Sequence, residues 1–132
     1  MGQPAAKQGD QVTALDMHLI QPPGPSPPLL VPHPFSGALD GGLSADVNIE
    51  GRPAAVVGST ATNTPPHIPL GGSFVNAVAN RGEVSTGSAT VRINGKGAAR
   101  AGDKVRTCND VTDLPVGTIV AVGTVNIGGG TA

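Results

Sequence analysis

Apolar and polar residues alternate in short runs along this chain, and no run keeps a helical period. At 91–93 the sequence Val-Arg-Ile reads apolar, polar, apolar, the pattern of a half-buried strand. Asn94-Gly95 follows it. That pair favours a two-residue hairpin, because both central residues of a type I′ turn need positive φ. Val47-Asn48-Ile49 followed by Glu50-Gly51 has the same form. Residues 118–122 read as one more buried strand ahead of Val125-Asn126-Ile127-Gly128. The pattern predicts an all-β chain of short strands joined by tight turns.

These strands belong to a repeat. Residues 47–59 read VNIEGRPAAVVGS and residues 91–103 read VRINGKGAARAGD, with 6 of 13 positions identical and no gap. GQPAAKQGD at 2–10 aligns with GRPAAVVGS at 51–59 but lacks the leading strand. VNIGGG at 125–130 supplies that strand from the other end of the chain. The expectation is three quasi-equivalent units in a pseudo-threefold ring, with the last strand completing the first unit and the termini adjacent. Three units are also about the minimum for a stable repeat. Ala-Ala recurs at 5–6, 54–55 and 98–99, where small side chains let three strands approach a shared axis.

Composition supports this picture. Gly and Pro number 20 and 13 of 132 residues, which excludes a helical bundle, since each costs about 1 to 3 kcal/mol inside a helix. Charge is scarce and apolar residues are plentiful, unlike a disordered chain. Two Phe and no Trp or Tyr exclude an aromatic core. Eight basic and nine acidic residues, unclustered, argue against nucleic acid. There is no apolar stretch long enough to span a bilayer and no signal-peptide pattern at the N-terminus, so synthesis in the cytoplasm is expected. Two segments differ from the rest. Residues 21–34, with seven prolines, and 60–70, TATNTPPHIPL, are expected to be long, stiff, polyproline-like loops.

The candidate chemistry is confined to four residues. His18, His33 and His67 are the only histidines and Cys108 the only cysteine, so no internal disulfide can form. Together they make one tetrahedral N/S ligand set of the zinc type, with iron the lesser alternative. His18 and His67 each lie 14 residues after the proline of their unit, Pro4 and Pro53. Cys108 follows the third unit, and His33 sits in a Pro-His-Pro frame. Four protein ligands leave no open position, which points to a structural site. Asp16, Asp40, Asp46 and Glu83 are scattered and suggest no acid/base pair, so no catalytic or cofactor-binding residue is expected.

Pro4-Ala5-Ala6-Lys7, Pro53-Ala54-Ala55-Val56 and Gly97-Ala98-Ala99-Arg100, each followed by Gly-Asp or Gly-Ser, resemble the PAAR-repeat proteins. No unit reads PAAR in full. The resemblance implies a small cone at the tip of a contractile injection machine, of the type VI or the extracellular phage-tail-like kind. Its base would cap a trimeric β-helical spike, one tip per trimer. His18, His33, His67 and Cys108 would hold zinc near the apex, and the strands at 47–49, 91–93 and 125–127 would build the base. The tip would be a monomer by itself, a single domain over 1–132 without effector extension. It would assemble at the end of the particle, with cargo nearby, and would touch the target envelope only transiently. The competing reading is a free-standing metal- or carbohydrate-binding β module, and the lack of Trp and Tyr weakens it.

Overall fold

The computed structural model describes residues 2–130; Met1, Thr131 and Ala132, at the ends of the expected domain, lie outside the described residues. Every regular element among the described residues is a strand: β1 (Gln3–Pro4), β2 (Gln11–Gln21), β3 (Leu29–Gly41), β4 (Asn48–Ile49), β5 (Arg52–Pro53), β6 (Thr60–Asn63) and β7 (Ser73–Phe74). The rest are β8 (Arg81–Val84), β9 (Arg92–Ile93), β10 (Lys96–Gly97), β11 (Lys104–Thr107), β12 (Leu114–Val120) and β13 (Asn126–Ile127).

The base is a ring of three small hairpins. β4 pairs with β5 and β9 with β10 across two-residue turns. Glu50 and Gly51 have φ of 52° and 80°, and Asn94 and Gly95 of 51° and 78°, as a type I′ turn requires. The third hairpin is made from the two ends of the chain, with Gln3 opposite Ile127 and Pro4 opposite Asn126. The Ala-Ala pairs meet on the axis. Ala6 N–H donates to Ala99 O, Ala99 N–H to Ala55 O, and Ala55 N–H to Ala6 O, each at 3.0 Å. Three hydrogen bonds thus form a closed cycle, and a larger side chain at these wholly buried positions would hold the strands apart.

Above the base, six strands close into a barrel in the order β2, β3, β6, β8, β11, β12, with β12 pairing back to β2. Each unit contributes one antiparallel pair: β2 with β3, β6 with β8, β11 with β12. The units enter the barrel identically. The amides of Gly9, Gly58 and Gly102 donate to the carbonyls of Leu39, Val84 and Ile119 at 2.9–3.0 Å. Those three apolar residues, with Val12, Ala61 and Val105, fill the barrel below Phe35. Ala5, Ala54 and Ala98 face the other way and pack with Ile49, Ile93 and Ile127 in the base. The first Ala of each pair therefore serves the base and the second serves the barrel.

The three pairs differ in length, and this breaks the threefold at the apex. β2 and β3 run to 11 and 13 residues, whereas β6, β8 and β11 have four each. The proline-rich segment 21–34 is not a polyproline-like loop throughout. Residues 29–34 are the first half of β3, paired with β2 from Ile20–Leu29 down to Leu15–Pro34, and only the turn at 22–28 lies outside the ladder. Ser36 N–H points away from β2, to Asn63 Oδ1. By strand alternation Pro34 and Pro32 face the same way, where no ladder bond to β2 is lost. The 60–70 segment likewise begins as strand β6 and leaves the sheet only after Asn63.

Candidate metal centre

The interior of the barrel turns from apolar to polar one layer above Phe35. Alternation along β2 turns Asp16, His18 and Ile20 inward, all at most 1% exposed. His33 stands opposite Asp16 on β3 and is equally buried. His67 comes from the loop after β6. Its amide donates to Asn80 Oδ1 at 2.7 Å, and its side chain is 2% exposed. Cys108 directly follows β11 and is buried. The structure thus brings all four sequence-identified residues to one place, each unit delivering at least one.

Ligand atoms of Asp16, His18, His67 and Cys108 all lie within 4.8 Å of one another, so this buried group could hold a metal ion. His33 stands beside it. Its ring centroid is 5.4 Å from that of His18 and 5.5 Å from that of His67, and His18 and His67 are 5.0 Å apart. His33 Nδ1 is 2.8 Å from Val31 O, which can only accept, so Nε2 carries the lone pair. That Nε2 and both ring nitrogens of His18 are buried without a hydrogen-bond partner. Orphaned buried nitrogens are costly. Such nitrogens beside a buried thiol and carboxylate fit a cation better than they fit a packed core.

Asp16 is the residue that sequence reasoning missed. Its Oδ2 accepts from His67 Nε2 at 2.9 Å and from Cys108 Sγ at 3.4 Å, and its Oδ1 from Thr107 Oγ1 at 2.5 Å and Asn109 Nδ2 at 3.4 Å. One signal was available. Asp16 and His18 are two apart on a strand and must share a face. Phe74 was missed too, because only the pairing of β7 with the far end of β2 brings its ring to 5.7 and 5.5 Å from His18 and His33.

Electrostatics prepare the His18 imidazole more than the thiol. Burial, helped by His67, lowers the His18 pKa against the opposing pull of Asp110 and Asp16, so its ring is neutral and able to ligate. Burial pushes the Cys108 thiol up to about 11, with the Asp16 charge and hydrogen bond adding to it. Ligation of a cation by Cys108 therefore releases a proton.

The polar cluster sits on a threefold ring whose third unit and C-terminal part, residues 77–132, match the family model described as PAAR motif. This match supports the reading of the chain as a PAAR-repeat protein. A search of curated proteins gives no match. The PAAR motif implies a spike-tip role in contractile injection systems, and its family is structural rather than catalytic. The two units outside the matched range, around Ala5-Ala6 and Ala54-Ala55, make the same hydrogen bonds as the matched one.

Proposed function

We propose that this PAAR-repeat protein is the tip that caps a trimeric β-helical spike, with its apex pinned by one structural zinc ion. The observation that carries this reading is the base. Three hairpins related by a pseudo-threefold axis present Val47, Val91 and Val125 at matching positions, exposed by 37, 36 and 40%. A single chain with such a base can offer one equivalent patch to each subunit of a true trimer. The short base strands are two residues each and leave edges that strand ends of a spike can cover.

In this reading His18, His33, His67 and Cys108 are the ligands. Asp16 is held by Thr107 and Asn109 and touches His67 Nε2 and Cys108 Sγ, contacts that a bound ion would take over. Bound zinc would cross-link the segments of all three units that meet at the apex. The tip travels with the spike.

Binding to the trimeric spike protein of the same particle tests the reading. Light scattering of the purified mixture should give one tip per spike trimer, and Val91→Asp should weaken binding at least tenfold without changing the melting temperature. Three tips per trimer, or none, would rule out capping.

A further inference from the structure

The outer face of the long hairpin changes character part-way along it. Near the base its outward positions are Gln11, Thr13, Ser36 and Ala38. Beyond them the outward cross-strand pairs are Leu15–Pro34, Met17–Pro32 and Leu19–Leu30, all apolar. Leu15 and Leu30 are more than half exposed. Val75, whose N–H donates to Leu19 O at 3.0 Å, carries the strip onto the chain leaving β7. On the other side, a groove of about 320 Å³ between Pro34, Pro65, Pro66, Ile68 and Leu70 continues it.

Two further features say what such a face suits. The first is charge. No Asp, Glu, Lys or Arg occurs between Asp16 and Asp40, or between Arg52 and Arg81. Apart from Leu15, which ends the uncharged run 11–15, the strip is built from those two stretches, and the Asp16 carboxylate is buried. The second is the backbone. β6 ends at Asn63, so the edge of β3 beyond Ser36 has no strand beside it. Pro34 and Pro32 occupy the positions whose amides would face that open side, and five of the seven residues at 22–28 are also proline. A partner protein adding a strand would need those donors. Hydrocarbon, where an unpaired N–H is heavily penalised, favours their absence.

We propose that the distal half of the β2–β3 hairpin, with Val75 and the Ile68–Leu70 flank, is a lipid-contact surface that takes acyl chains of a bilayer. The proposal rests on the reading of this end as the leading end of the tip. The contact needs no anionic headgroup, because the face carries no cation. It is reversible, because the apolar strip is far smaller than a spanning element.

The test is flotation of the untagged full-length chain with vesicles of pure phosphatidylcholine. The protein should float with the vesicles equally at low and high salt. Leu15→Asp with Leu30→Asp should cut the bound fraction about tenfold, since charges on a lipid-facing strand are strongly disfavoured. Thr13→Asp with Ser36→Asp, a cross-strand pair nearer the base, should leave it unchanged. Each variant is first matched to the parent by thermal melt. Failure of the parent to float, or equal flotation of the Leu15/Leu30 variant, overturns the proposal. A lipid-free dimer dissolved by that variant would instead assign the face to a second copy and also overturn it. Spike binding is measured on the same proteins. A parent that binds the trimer but not lipid sinks this inference alone, whereas lipid binding without trimer binding sinks the capping of the spike.

Discussion

At the residue scale, one buried polar layer decides how the apex is held. His18 and His33 bury ring nitrogens without a hydrogen-bond partner, whereas His67 pairs with Asp16 at 2.9 Å. Removing one proposed ligand should therefore act differently from removing an ordinary polar side chain. Cys108→Ser or His67→Ala should lower the melting temperature of the metal-loaded protein by about 10 °C or more. Ser85→Ala should not, because Ser85 lies near the surface and its hydroxyl only reaches Lys104 O at 3.1 Å. Differential scanning calorimetry of the three separates the two cases. The metal-stripped protein should also show a pH profile set by the same layer. His18 has a lowered pKa when folded, so the unfolded chain takes up a proton below about 6.5 that the folded one resists, and stability falls as pH drops from there. Cys108 has a raised pKa, so the unfolded chain ionises above about 9 while the folded thiol persists to about 11, and stability falls as pH rises through that window. Chemical denaturation across pH should therefore show a plateau bounded on both sides.

At the scale of elements, the base was legible from residues 47–59 and 91–103 alone, because tight turns and small side chains are local requirements that leave a sequence mark. Even the pairing of the two chain ends followed from the missing strand of the first repeat. The barrel was less legible. Its three pairs carry a second repeat, Gly37-x-Leu39, Gly82-x-Val84 and Gly117-x-Ile119, too short to stand out in a glycine-rich chain. Its physical reason appears only on closure. A Cβ on Gly37 would sit 2.2 Å from Thr62 O, on Gly82 2.9 Å from Val105 Cγ1, and on Gly117 3.0 Å from Thr107 Cγ2. Gly37→Ala should accordingly destabilise the protein by about 1–3 kcal/mol through overpacking, read by chemical denaturation. An unchanged midpoint would mean that the barrel is wider there than its register implies. Pro32 and Pro34 misled for a related reason: proline argues against a strand only where its amide is needed, and β3 has an open side.

At the scale of the molecule, symmetry and its loss divide the work. The base keeps the threefold through its hydrogen-bond cycle, while unequal hairpins above it draw side chains from all three units into one asymmetric cluster. The ligand types were visible as the whole His and Cys complement of the chain. Asp16 and Phe74 were not, because their place depends on how β2, β7 and β11 come together. Since the proposed ligands come from every unit, metal content reports on assembly of the entire ring. The decisive measurement is elemental mass spectrometry of the untagged protein beside Cys108→Ser. The account predicts one zinc per chain in the parent and none held by the variant. A folded parent that carries no metal, or a variant that keeps its full complement, would contradict it.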